Sequence, residues 1–324
     1  MCGIAGYICS DDKPHPKVLY RLARSLIQGI EPRGHDAAGY AYVSKRDQGV
    51  FMAKAPVTAT KFLESPGHLL SRRKVKAMPD ALILHTRAQT KGSANNNENN
   101  HPIYSKSTGL CIVHNGWLIN DDDLEQQYKL KRDAKVDSEI YLKLIEHYYS
   151  KDKSVEQGVM NATKEALGSI ACGMIKAGRP NDLWIWRDDG DLALAKTGFG
   201  WVFASTQSAL LDVLVKFGAL EIGAVEFYKV QPQSLLHFAM GKPKWDVTEL
   251  EAATDKDYFD IDEIIGDSKW SRRKYRKNRQ NTVYTSSYYT EYSGNKDYTH
   301  IGQRWNFDTK QWEDLPGTHW ENYD

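Results

Sequence analysis

Met1-Cys2-Gly3-Ile4-Ala5-Gly6-Tyr7-Ile8 opens the chain with a short β-type run that carries a cysteine at its leading end. Asp11, Asp12 and Lys13 close the run at once. Working outward, further runs of this kind stand at Gly39–Ser44, Val50–Ala53, Ala81–His85, Leu110–His114, Ile170–Lys176, Asp182–Trp186, Leu192–Lys196, Trp201–Ser205, Val225–Val230 and Ser234–Phe238. Helical periodicity separates some of them. Leu19, Leu22, Leu26 and Ile30 share one face of Val18–Ile30, and Ser138–Tyr149, Val155–Leu167 and Ser208–Phe217 follow the same rule. The strands are too closely spaced and the helices too few for alternating βαβ units. The expectation is a mainly antiparallel arrangement with helices packed outside. Gly92–Asn100, rich in Ser and Asn, is expected to be a mobile loop.

Cys2 is the residue with chemistry in its position. Aminopeptidase removal of Met1 would leave a thiol and a free α-amine on one residue. An α-amine has an ordinary pKa of about 7.7–8.0, so near neutrality it can take the thiol's proton without help from a histidine. Cys9, Cys111 and Cys172 sit in apolar contexts expected of small buried hydrophobes, and no pair has CxxC spacing. Position alone is weak support for a nucleophile, so the neighbours decide.

Five further segments follow in order. They are Pro32-Arg33-Gly34-His35-Asp36-Ala37-Ala38-Gly39, His85-Thr86-Arg87-Ala88-Gln89-Thr90, Asn100-His101-Pro102, Val113-His114-Asn115-Gly116 and Asp137-Ser138-Glu139. Together with the N-terminal hexapeptide, this series resembles the class II, N-terminal-nucleophile glutamine amidotransferases. The resemblance extends to about residue 240 and implies an α+β fold. Its form is a four-layer αββα sandwich with two antiparallel sheets between helices.

The resemblance also implies roles. Cys2 would attack the side-chain amide of L-glutamine, and the Asn115 carboxamide and Gly116 N–H would donate to the oxyanion. Arg87, with the Thr90 hydroxyl, would hold the α-carboxylate, and Asp137 the α-ammonium. Arg33 and Asp36 would support the nucleophile strand. No metal or cofactor is implied, although His85, His101 and His114 invite the question. Plainer readings stand beside these. Asn115-Gly116 is a strong hairpin-turn signal, Asp137 is a common helix N-cap type, and Arg33 with Asp36 could be a loop ion pair. Lys91 stands where the family often has His, and could place a cation at the pocket mouth.

The remainder of the chain is different. Its 43 basic and 42 acidic residues nearly balance overall, which predicts neither a nucleic-acid nor a membrane-surface protein. The apolar runs are too short to span a bilayer and no signal peptide is evident, so a cytoplasmic location is expected. Residues 1–240 are expected to form the amidotransferase domain and 241–324 a largely extended or partner-docked tail. Eight acidic residues lie between Glu249 and Asp267. Lys269, Arg272, Arg273, Lys274, Arg276, Lys277 and Arg279 follow, a solvated run by base rate, with nucleic acid as the alternative partner. Trp305, Phe307 and Trp312 predict a lone hairpin within Arg304–Leu315. The tail is short for a second catalytic domain, so ammonia would pass to a synthase or transferase on another chain. The alternatives are a standalone hydrolase of glutamine or a γ-glutamyl compound, and a catalytically silent glutamine-sensing scaffold.

Overall fold

The computed structural model describes residues 1–71, 76–217, 222–223, 225–239, 246–250, 303–306 and 311–314. In chain order the first elements are β1 (Gly3–Cys9), α1 (Pro16–Gly29), β2 (Ala37–Val43), β3 (Val50–Ala55), α2 (Ala59–Glu64) and β4 (Ala81–Arg87). Then come β5 (Ile103–Tyr104), β6 (Leu110–Leu118), α3 (Asp121–Gln127), α4 (Asp137–Asp152), α5 (Val155–Glu165), β7 (Gly168–Lys176) and β8 (Arg179–Arg187). The series closes with β9 (Ala193–Thr197), β10 (Gly200–Ala204), α6 (Gln207–Leu214), β11 (Glu226–Lys229), β12 (Ser234–Ala239) and β13 (Asp246–Glu249), and a separate pair, β14 (Gln303–Asn306) and β15 (Gln311–Asp314).

Local chemistry sets the helix ends. Pro16, whose missing N–H costs nothing in a first turn, starts α1. The Thr58, Ser154 and Thr206 hydroxyls accept first-turn N–H bonds at the starts of α2, α5 and α6.

Two sheets face each other. One runs β11-β9-β10-β1-β4-β2-β3 and the other β13-β12-β8-β7-β6-β5, with every pairing antiparallel. Ile4, Ile83, Val113, Ile185 and Phe203 fill the space between them. Leu22, Leu26 and Ile27 of α1, Phe62 of α2 and Leu210 of α6 pack on the outer face of the first sheet. Ile140, Leu144 and Ile145 of α4 and Val159 of α5 pack with Trp184 and Trp186 on the outer face of the second. The layers are therefore αββα, as expected.

All eleven expected strands are present, and two extensions matter. β4 continues through Arg87, and β6 continues through Leu118. Asn115-Gly116 is consequently not a hairpin turn. Both residues are paired within the strand, opposite Ala171 and Ile170 of β7. Beyond residue 240, β13 pairs with β12, and Leu250 is buried. The expected hairpin is present as β14 and β15, with Trp305 opposite Trp312. The basic run from Lys269 to Arg279 and most of the acidic run lie outside the described residues.

Candidate active site

β1 lies in the middle of the larger sheet between β10 and β4, and its first paired residue, Gly3, stands opposite Thr86. The Thr86 hydroxyl donates to the Ile30 carbonyl at 2.8 Å. A Cβ on Gly3 would come within 2.6 Å of that hydroxyl oxygen and 2.7 Å of the Ile30 carbonyl oxygen. Only glycine allows this approach, and it sets Cys2 beside the end of β4. Arg33 Nε donates to the Cys2 carbonyl at 2.9 Å, which tethers the residue from the other side.

The Cys2 thiol is half-buried, with Sγ 3.5 Å from the Ala88 carbonyl. Burial pushes the thiol above its ordinary pKa, while Arg87 pulls it down and Asp137 pushes it up. In turn, burial lowers the Arg87 guanidinium, against the charges of Cys2, Asp36 and Asp137. The thiol, the cation and the anion thus share one electrostatic neighbourhood, although they come from β1, β4 and the start of α4.

Asp36 supports the far end of β4. Its N–H donates to the Arg87 carbonyl at 2.9 Å, and its Oδ2 accepts from Gln89 N at 2.6 Å. Arg33 and Asp36 make no ion pair with each other among the described residues. Both brace the ends of neighbouring strands instead. Thr90 is exposed in the turn after β4, and no hydrogen bond of its hydroxyl is found among the described residues.

Asp137 is the first residue of α4, after Val136, rather than the residue before the helix. Its Oδ1 accepts from Ser138 N and its Oδ2 from Leu118 N, both at 2.8 Å. Capping alone does not account for it, because one oxygen reaches β6. His114 strengthens the same joint. Its Nδ1 lies 2.9 Å from Ser138 Oγ, and its carbonyl lies 3.1 Å from His85 Nε2. Asn115 follows in β6 and is buried, and its carboxamide has no hydrogen-bond partner among the described residues. Gly116 has φ of +153°, and a Cβ there would lie 1.8 Å from the Ser169 carbonyl oxygen.

The Asn-rich loop is held down more firmly than its composition predicts. Arg87 donates to Asn100 Oδ1 at 2.8 Å and to the Lys91 and Gly92 carbonyls at 2.7 Å each. Asn99 and Asn100 are buried, and Asn99 Oδ1 accepts from Lys135 N. Lys91 does not present a bare cation to the pocket mouth. Its Nζ pairs with Asp121 at 2.6 Å and Asp122 at 3.1 Å, carboxylates that Arg132 also holds.

His85 and His101 are stacked and buried. Burial holds His85 down at about 3 and His101 well below the ordinary imidazole range. Lys54, outside every quoted segment, braces the site together with Gln89, Asn100 and Ser138, which stood in those segments with no role of their own. Their signal in the sequence is faint, since each is an ordinary polar residue in a strand, turn, loop or helix start.

The sandwich thus sets a cysteine at the leading end of a central strand, beside the end of β4. Residues 85–212 match the family model described as a glutamine amidotransferase domain. The glutamine--fructose-6-phosphate aminotransferase (isomerizing) of Staphylococcus aureus is 29% identical over 224 residues, which is 67% of this chain and 34% of that protein. The Staphylococcus epidermidis protein of the same name is 29% identical over 219 residues, 65% of this chain and 33% of its own length. The chain therefore spans about a third of the length of these curated relatives. Among solved structures, the glutamine phosphoribosylpyrophosphate amidotransferase of B. subtilis, in complex with ADP and GMP, superposes with a TM-score of 0.58. It shares 21% identity over 77% of this chain and 49% of its own, a likeness of fold. Residues 85–212 are thus similar to glutamine amidotransferase domains, and about two thirds of the chain is similar to a third of these curated aminotransferases.

Proposed function

We propose that this domain hydrolyses L-glutamine to glutamate and ammonia through a thioester on Cys2. The observation that carries the reading is the placing of Cys2, its Sγ 3.5 Å from the Ala88 carbonyl, beside Arg87 at the end of β4, with Asp137 bonded to the end of β6. A nucleophile with one fixed cation and one fixed anion beside it suits an amino acid with free α-carboxylate and α-ammonium groups. With Met1 removed, the Cys2 α-amine takes the thiol proton as sulfur bonds to the amide carbon. Since burial pushes this thiol up, a built-in base is what makes the attack feasible near neutrality. The Asn115 carboxamide, unengaged among the described residues, donates to the oxyanion together with the Gly116 N–H. The C–N bond then breaks, the proton held by the amine leaves with ammonia, and water cleaves the thioester. Removing one oxyanion donor typically costs about 3–4 kcal/mol of barrier.

Arg87 holds the α-carboxylate, with the Thr90 hydroxyl joining it as the turn closes on substrate, and Asp137 holds the α-ammonium. Ammonia is used by an acceptor enzyme on another chain, and the residues beyond the sandwich dock that partner. Intact mass after exposure to a glutamine-analogue electrophile tests the reading. A single adduct on Met1-less Cys2, absent in Cys2→Ala and blocked by L-glutamine, supports it. A folded protein that retains Met1 and takes no adduct would sink it.

A further inference from the structure

We infer that Asn100 is a specificity-determining positioning residue, which fixes how much of the Arg87 guanidinium is left for a substrate carboxylate. The inference rests on the reading of Arg87 as the α-carboxylate clamp. Asn100 is fully buried, and its amide orientation is settled by its neighbours. Nδ2 donates to the Ala94 carbonyl at 2.7 Å and to Asn97 Oδ1 at 3.1 Å. Both amide hydrogens are thereby engaged, and Oδ1 is turned onto Arg87 Nη1 at 2.8 Å. Arg87 Nη2 gives its two hydrogens to the carbonyls of Lys91 and Gly92. A guanidinium has five N–H groups. Three are held by the loop, and Nε–H and one Nη1–H have no partner among the described residues.

Lys54 holds Asn100 in turn. Its Nζ donates to the Asn100 carbonyl at 2.6 Å and the Pro102 carbonyl at 3.1 Å, and Asn97 Nδ2 donates back to the Lys54 carbonyl at 2.9 Å. Burial lowers the Lys54 ammonium. A cation held there on two carbonyls anchors the closing end of the loop. The chain Lys54–Asn100–Arg87 thus presets a long, otherwise rotatable side chain. Neutral acceptors hold it, so its positive charge stays available to an incoming anion. An aspartate in place of Asn100 would neutralise that charge.

The test compares L-glutamine with its α-carboxamide analogue, which lacks the anion Arg87 would bind. In Asn100→Ala and Asn100→Asp, KM for L-glutamine should rise about tenfold, the size of one charge-assisted hydrogen bond, with kcat little changed. Turnover of the α-amide should hold, so the preference for the free acid collapses. Lys54→Met should give the same signature without touching Arg87, and Lys54→Arg should restore most of it. This set keeps the test decisive if one Asn100 variant fails to fold. Equal losses on both substrates, or none, would overturn the inference. If instead the unsubstituted enzyme turned over acid and amide alike, the Arg87 assignment itself would fall, and the inference with it.

Discussion

His85 and His101 stack with ring centroids 4.2 Å apart, and both rings are buried, His85 with its Nε2 on the His114 carbonyl. Neither His101 ring nitrogen, nor His85 Nδ1, has a hydrogen-bond partner among the described residues. Two imidazoles in this setting are neutral, since a second positive charge against the first would have no compensation. Unfolding releases both rings to water, where their ordinary pKa is about 6.5. Between that value and the folded value of about 3 for His85, the unfolded chain binds more protons. Stability is therefore full above pH 6.5 and falls as pH drops through this window. The slope should reach about 1.4 kcal/mol per pH unit for each histidine. Urea unfolding at pH 5 and pH 8 measures it, and His101→Phe should flatten the dependence. An unchanged slope would show that these rings are not its source.

Gly116 and Asn115 should separate stability from chemistry. At Gly116 an added methyl meets the Ser169 carbonyl in a backbone region that disfavours side chains, so Gly116→Ala should lose about 1–3 kcal/mol or more of stability along with activity. Asn115→Ala should unfold near the parent midpoint while kcat falls about 10²–10³-fold. Paired denaturation and turnover measurements check both. A fully active Asn115→Ala would remove that side chain from the oxyanion site.

Lys91→Met should be nearly silent in KM for glutamine. Its ammonium is engaged by Asp121 and Asp122, and Arg132 remains to hold the same carboxylates. A partly exposed pair of this kind contributes about 0–1 kcal/mol. A large KM change would mean that Lys91 leaves its carboxylates when substrate enters.

Truncation should depend sharply on where the chain is cut. Ending it after Leu250 keeps the β12–β13 pairing and should leave glutaminase turnover intact while partner capture is lost. Ending it after Met240 strips that edge and exposes Leu235 and Leu236, which are buried in β12. That shorter chain should melt earlier. Loss of turnover in the longer chain would refute the division of labour between sandwich and tail.

Much of the fold was legible because strand and helix periods are local. Gly3–Ile8 and Leu19, Leu22, Leu26 announce their elements within a few residues. The ends of β4 and β6 were not. Arg87, Asn115 and Gly116 look like strand-breaking polar or turn residues until the register with a partner strand places them. Cys2, Arg87, Asn115 and Gly116, the residues proposed to act on substrate, stood out as residue types in a familiar series. Asn100 stood in that series without a role and Lys54 outside it, because the importance of each lies in which groups it meets across the fold. No spacing in the sequence encodes that.

Arg87 grips the loop from Lys91 to Asn100 with the same group proposed to grip the substrate. Coupling of this kind is reciprocal: if the loop's hold on the guanidinium favours substrate, substrate favours that hold by the same factor. The Asn-rich loop should then act as a built-in occupancy gauge. Its amide-exchange protection would rise when glutamine enters and relax when glutamate leaves. Catalytic state could be followed from the backbone of a segment that touches none of the reacting atoms.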